Sequence, residues 1–274
     1  MLTSTHRTRD GTDIACEGSS DQPSDAFFVH ATGFCKELWR PVVDALTAEP
    51  ISWAAMDQRG HGGSAVTGPP YRWDLLAHDV IDVVGSRRPV GVGHSSGGAA
   101  IARAEAIRPG TFSALVLIEP IISPPPYARR EIALATGAEK RRAVFADRRT
   151  ARERFGRGPF GAWDPVVLDL YVEYGFVADD DGIRLACPPE VEADFYREGF
   201  NHDTWDRIGD IAVPVTIVAG ARSDSHQQPY LSSLGRRFGS PEMIVVPDRG
   251  HLVPMEDPRS VADIVDRAVA RQRG

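Results

Sequence analysis

Short runs of apolar residues punctuate this chain, and the segments between many of them carry helical spacing. The runs are "AFFVHA" (26–31), "SWAAMD" (52–57), "PVGVGH" (89–94), "ALVLIE" (114–119), "VPVTIVAG" (213–220) and "EMIVVP" (242–247). Each is too short for a core helix, and together they are rich in Val and Ile and bounded by Gly, Pro or Asp. Fully buried parallel strands have this pattern. Between them, "ELWRPVVDALTA" sets Leu38, Val42, Ala45 and Leu46 on one helical face, and "WDLLAHDVIDVV" does the same with Leu75, Leu76, Val80 and Val83. "GGAAIARAEAI" is Ala-rich and a strong helix former, and "SVADIVDRAVA" predicts a last amphipathic helix. Ahead of all this, "MLTSTHRTRDGTDIACEG" predicts two strands joined at the turn dipeptide Asp10-Gly11. Strands alternating with helices predict an α/β fold: a mostly parallel, twisted sheet of about eight strands with helices on both faces.

The alternation fails once. From about Ser123 to Arg207 no good strand is visible, and the stretch predicts a mostly helical insertion between "ALVLIE" and "VPVTIVAG". The expected organisation is therefore a core made of residues 1–122 and 207–274, with a helical lid at 123–206. Within the insertion, the basic run from Lys140 to Arg154 is interleaved with Glu139, Asp147 and Glu153, which predicts a solvated, salt-bridged helix face.

Composition narrows the function. A chain of 274 residues is ample for one large core, and 42% hydrophobic with 25% charged residues is ordinary for a soluble globular protein. A net charge of −7 argues against a general binder of nucleic acid or anionic membrane. Cys16, Cys35 and Cys187 lie far apart, with neither metal-ligand spacing nor a disulfide framework. No signal-like or membrane-spanning apolar run is visible, so the expected location is cytoplasmic.

The chemistry concentrates at "PVGVGHSSGGAA". Gly93-His94-Ser95-Ser96-Gly97 matches G-x-S-x-G where a strand gives way to a helix. Such a turn is sharp, and Gly two before and two after the serine removes side chains that would collide. In register with Ser95 both flanks are Gly. In register with Ser96 the rear flank is His94, a poor fit. Ser95 is thus the candidate nucleophile, and Ser96 contributes its backbone N–H to an oxyanion hole. A serine nucleophile needs a base and an acid that orients the base. "VPDRGHLVPMEDP" supplies His251 and "VAGARSDS" supplies Asp224, each on a loop after a strand, in the order Ser95, Asp224, His251. His6, His61, His78, His202 and His226 are read as structural or simply exposed.

Five motifs in order, "HATGF", "DQRGHGGS", "GHSSGG", "GARSD" and "RGHLVPMEDP", resemble those of the α/β-hydrolase fold superfamily, in its serine esterase-like members. The resemblance covers nearly the whole chain. It implies that His61 is structural and that the loop His30 to Phe34 gives a second oxyanion donor. The Thr32 N–H is the choice, with Phe34 the local alternative; Ala31 stands where many members have Gly. Glu119, at the end of "LVLIEP", is the alternative acid, since some relatives recruit theirs there.

The expected activity is serine-dependent hydrolysis of a small or medium apolar carboxylic ester through an acyl-enzyme, with neither metal nor organic cofactor. A Ser at position 95 sets the chain apart from the haloalkane dehalogenases and epoxide hydrolases of this fold, which use Asp. Lactone opening, thioester hydrolysis, carbon–carbon bond hydrolysis and perhydrolysis share the same catalytic groups. A small-molecule receptor with residual hydrolysis is the alternative of a different class. Phe34, His94, Trp163 and Tyr171 are the candidate pocket residues, and further lid aromatics (Tyr174, Phe176, Phe195, Tyr196) compete for that role. The expected partner is a small ester-like molecule, with no nucleic acid and no membrane, for a monomer or homodimer.

Overall fold

The computed structural model describes residues 1–20, 25–47, 50–158 and 160–274. Eight strands form one sheet in the order β1-β2-β4-β3-β5-β6-β10-β11: β1 (Leu2–Arg7), β2 (Asp13–Gly18), β3 (Ala26–Val29), β4 (Trp53–Met56), β5 (Val90–His94), β6 (Ala114–Ile118), β10 (Val215–Gly220) and β11 (Glu242–Val246). β1 and β2 are an antiparallel hairpin, and β2 pairs antiparallel with β4. Every other pairing is parallel.

The central strands read as continuous apolar runs because both of their faces are buried. Phe27 and Val29 of β3, with Leu115 and Leu117 of β6, face one core layer. Ala26 and Phe28, with Ala114, Val116 and Ile118, face the other. The first layer is closed by α2 (Trp73–Val84), α3 (Ser96–Ile107) and α9 (Tyr230–Arg237). The second is closed by α1 (Arg40–Asp44) and α11 (Pro258–Arg273). The sequence expectation for "ELWRPVVDALTA" is only partly met. A 3₁₀ turn, Lys36–Trp39, leads into a short α1, and Leu38 and Val42 are buried while Ala45 and Leu46 are only partly so.

Between β6 and β10 lie α4 (Ala133–Lys140), β7 (Val144–Phe145), α5 (Arg148–Gly156), α6 (Pro165–Tyr174), β8 (Phe176–Asp179), β9 (Gly182–Leu185), α7 (Pro189–Glu198) and α8 (Thr204–Arg207). A final short helix, α10 (Val253–Glu256), precedes α11. The expectation of a strandless insertion is corrected here: β7, β9 and β8 form a small antiparallel sheet. These strands are two to four residues long, too short to show alternation. The one local signal is the Asp-Gly pair in "DDDG", where Gly182, the first residue of β9, takes φ 133° directly after the turn. An aromatic cluster of Phe145, Phe155, Trp163, Tyr171 and Phe176 joins this stretch to Phe34, Leu38 and Met255.

The strand order places the site. The chain leaves β3 toward β4 on one side and returns to β5 on the other, so the loops after β3 and β5 diverge and open a crevice at their carboxyl ends. Parallel pairing sets His94 opposite Ile118 and Val218 opposite Ile118. Ser95 and Glu119 therefore emerge side by side from adjacent strands.

Candidate active site

Ser95 sits between β5 and α3 with φ 54° and ψ −113°, a conformation few non-glycine residues adopt. The flanking glycines are required by space. A Cβ on Gly93 would lie 2.6 Å from the Gly97 carbonyl oxygen, and one on Gly97 would lie 2.3 Å from the Val29 carbonyl oxygen. The two serines differ in their surroundings. Ser95 Oγ lies 3.1 Å from His251 Nε2, whereas Ser96 Oγ accepts a hydrogen bond from Gln58 Nε2 at 3.0 Å and is buried. The Thr32 and Ser96 N–H groups have no acceptor among the described residues, and both residues line the same cavity as Ser95.

Glu119, not Asp224, meets His251. Its Oε2 lies 2.9 Å from His251 Nδ1, 2.7 Å from His226 Nδ1 and 2.6 Å from the donating Ser223 hydroxyl. Its Oε1 accepts the Gly220 N–H at 2.8 Å. Burial works to raise the Glu119 carboxyl, but the hydrogen bonds from His226, His251 and Ser223 outweigh it and hold the group well below the ordinary carboxylate range. Glu119 itself has φ 50°, so the chain turns sharply as it leaves β6. Asp224 is exposed at the cavity edge and makes no hydrogen bond or ion pair among the described residues. The reason is register: Asp224 follows the end of β10 by four residues, and the loop that carries it turns Ser223 and Ser225 toward Glu119 instead.

His226, read from the sequence as structural or exposed, belongs to this network. It is buried, with Nδ1 against Glu119 and Nε2 3.1 Å from the Pro120 carbonyl oxygen. Its place two residues past Asp224 in "GARSDSH" was the available signal. Glu119, His226 and His251 present ligand atoms within 4.8 Å of one another, the one such trio among the described residues, and both histidines are engaged with Glu119.

His61 is structural: it is buried, its Nε2 accepts the Gly33 N–H at 2.9 Å, and its Nδ1 lies 3.2 Å from the Arg59 carbonyl oxygen. Burial lowers its pKa to about 3. It thereby anchors the loop that carries Thr32. His30 supports the same loop from its other end, with Nδ1 2.7 Å from the Ala31 carbonyl oxygen and Nε2 accepting the Gln58 N–H.

A cavity of about 820 Å³ opens above Ser95 and His251. Phe34 lines it together with Phe145, Phe155, Phe160, Phe195 and Phe200. His94, Trp163 and Tyr171 are not on its wall. His94 is buried behind the site, its Nε2 2.9 Å from the His251 carbonyl oxygen. Trp163 and Tyr171 are consumed by the aromatic cluster, where Trp163 stacks on Phe160 at 4.0 Å and Tyr171 packs edge-on to Phe34.

The expected salt-bridged face is found for only part of the basic run. Arg148, Arg149 and Arg152 pair with Glu173, Glu153 and Asp169. Lys140, Arg141, Arg142 and Arg154 instead line the cavity.

A mostly parallel eight-stranded sheet, with a glycine-flanked serine on a strained turn after a central strand, defines an α/β hydrolase. The chain belongs to the alpha/beta hydrolase family, which it matches over residues 26–264. Lipase LipV of Mycobacterium tuberculosis (strain ATCC 25618 / H37Rv) is 28% identical over 259 residues, 89% of this chain and 92% of that protein. The abhydrolase domain-containing protein ACTT2-1 of Alternaria alternata is 27% identical over 212 residues, 64% of this chain and 80% of its own. Among solved structures, E-2-(acetamidomethylene)succinate hydrolase superposes with a TM-score of 0.83 at 20% identity, covering 98% of this chain and 99% of that one. The enol-lactonase of Burkholderia xenovorans LB400 does so with a TM-score of 0.72 at 17% identity, covering 98% and 99%. Among the described residues, no helix is long and apolar enough to cross a membrane.

Proposed function

We propose that this protein is a serine hydrolase of carboxylic esters working through Ser95, His251 and Glu119. The observation that carries the reading is the unbroken chain from Ser95 Oγ to His251 Nε2 at 3.1 Å and from His251 Nδ1 to Glu119 Oε2 at 2.9 Å. His251 removes the Ser95 proton as Oγ attacks the carbonyl carbon. The unpartnered N–H groups of Thr32 and Ser96 receive the oxyanion; losing one such donor costs about 10²–10³ in rate. His251 then protonates the leaving alcohol, and a water molecule, activated the same way, releases the acid and regenerates Ser95. Glu119 holds the Nδ1–H tautomer of His251 and stabilises the imidazolium that forms.

Residues 123–206 act as a lid in this reading. They supply most of the aromatic wall of the cavity, which excludes water from the reacting centre and suits an apolar acyl or alcohol group. Lactones and thioesters present the same carbonyl to the same groups. LipV carries the name of a lipase and a structural neighbour that of an enol-lactonase, in keeping with acyl transfer to water.

The test is turnover of 4-nitrophenyl butyrate and labelling by a fluorophosphonate. The wild-type protein hydrolyses the ester and is labelled at Ser95, and Ser95→Ala loses both. A mutant that hydrolyses as fast as wild type sinks the assignment.

A further inference from the structure

The charges around the cavity run against the charge of the molecule. The chain carries −7 overall, yet Lys140, Arg141, Arg142 and Arg154 all line this one cavity, against only two carboxylates, Glu192 and Asp224. The acids that interleave with these cations in sequence are committed elsewhere. Glu139 pairs with Arg197, Glu153 pairs with Arg149 and Arg157, and Asp147 caps α5 by accepting the Thr150 N–H. The basic run is thus divided by position: Arg148, Arg149 and Arg152, off the cavity, have acidic partners. Among the described residues, Lys140, Arg142 and Arg154 have none.

The cavity cations differ in depth. Lys140, Arg142 and Arg154 are exposed and stand at the rim, where Arg142 lies over the Phe145 ring at 4.6 Å and donates Nε–H to the Val144 carbonyl oxygen. Arg141 is the more sheltered one, partly buried with 21% of its side chain exposed. It bonds Glu192 through one terminal nitrogen and the Tyr171 hydroxyl through the other, at 3.1 Å for the latter. A guanidinium has five N–H donors, so three have no partner among the described residues. Tyr196 donates its hydroxyl to Glu192 at 3.2 Å, which fixes the carboxylate, and Glu192 in turn fixes the guanidinium plane. A cation held rigidly with donors to spare beside an apolar wall is a seat for an anion.

We propose that the substrate carries an anionic group, carboxylate or phosphate, on the part remote from the scissile carbonyl, with Arg141 seating the anion and Lys140, Arg142 and Arg154 drawing it in. The proposal rests on the hydrolase reading above and deepens it. Rim cations raise the encounter rate and are screened by salt; the sheltered Arg141 contact supplies selectivity that survives salt.

The experiment compares matched pairs. For a carboxylate, kcat/KM is measured for 4-nitrophenyl hemiadipate against 4-nitrophenyl hexanoate, six carbons each. For a phosphate, hexanoyl-coenzyme A is compared with the hexanoyl thioester of N-acetylcysteamine. The expected result is a preference of about tenfold or more for the anionic member of one pair at low salt. Arg141→Gln abolishes the preference mainly through KM, and Arg236→Gln, a surface charge change far along the chain in α9, keeps it. Preference in the first pair that is lost in Arg141→Gln assigns a carboxylate; preference in the second that is lost in the same variant assigns a phosphate, whereas one that persists there reflects the rest of coenzyme A and overturns the anion seat. Ester turnover that depends on Ser95 with no preference in either pair overturns the anion site while leaving the hydrolase reading intact. If nothing is turned over and Ser95 is not labelled, the hydrolase reading fails, and calorimetry decides the anion site by itself. Ser95→Ala protein is then titrated with monomethyl adipate and methyl hexanoate, and with coenzyme A and N-acetylcysteamine. Tighter binding of the anionic member of either pair, lost in Arg141→Gln, sustains the site; equal binding in both pairs removes it.

Discussion

Glu119 and Asp224 both follow buried strands of the same sheet, yet they sit in opposite environments. Glu119 comes directly after β6, is fully buried, and is surrounded by His251, His226, Ser223 and the Gly220 N–H. Asp224 comes four residues after β10 and is exposed without a partner among the described residues. Proximity to a strand end is therefore a poor guide to which carboxylate reaches the base. What separates the two is the register of adjacent parallel strands, which carries Glu119 to the level of Ser95, and the burial that makes each hydrogen bond to it worth more.

The largest test of this contrast is Glu119→Gln. The amide cannot hold the charge of the imidazolium, and the expected loss in kcat for 4-nitrophenyl butyrate is about 10⁴-fold, in protein whose circular dichroism matches wild type. A loss under tenfold would show that Glu119 is not the acid.

Next in size is Ser223→Ala. It removes the 2.6 Å hydrogen bond to Oε2 from a fully buried hydroxyl. The expected cost is about 1–3 kcal/mol in stability, read from urea unfolding, with kcat falling by about tenfold as Glu119 loosens. Unchanged stability would mean that Ser225, 3.2 Å from the same oxygen, replaces it.

Acid should expose the buried network as a whole. Burial lowers the pKa of His30 and His202 to about 4, and of His61 and His94 to about 3. The unfolded chain binds protons on these imidazoles at about pH 6.5, so between there and the folded values it holds more protons than the native state. Stability therefore falls as pH drops through that window. Glu119 acts in the same direction at lower pH: its folded pKa is depressed, so its contribution is present above the ordinary carboxylate value and is lost below it. The expected observation is a steady fall in Tm from pH 7 to pH 4. A flat profile would show that these histidines are not held neutral in the folded state.

The smallest expected effect is at Asp224. Asp224→Asn should leave 4-nitrophenyl butyrate turnover within about twofold, because this exposed carboxylate at the cavity edge makes no bond to Ser95, His251 or Glu119. A loss comparable to that of Glu119→Gln would reverse the comparison.

Much of the eight-stranded sheet was legible because its signals are local. Six apolar runs contain the observed β3, β4, β5, β6, β10 and β11, and Asp10-Gly11 marks the turn between β1 and β2. The small sheet of the insertion was missed because its strands are too short for a period to register. The aromatic residues of that stretch could not be sorted into wall and core. Trp163 and Tyr171 look no different in sequence from Phe155 and Phe160, which do line the cavity.

The sequence by itself determined the strand runs and the glycine-flanked turn at Ser95. These depend on side-chain volume and backbone freedom within a few residues: no residue but Gly fits at 93 and 97. Only the tertiary structure decided which carboxylate meets His251, that His226 joins it, and which cations of the basic run face the cavity. Those outcomes depend on strand register and on how the segment between β6 and β10 folds over the sheet. Both are set by contacts between residues distant along the chain, which no local pattern encodes.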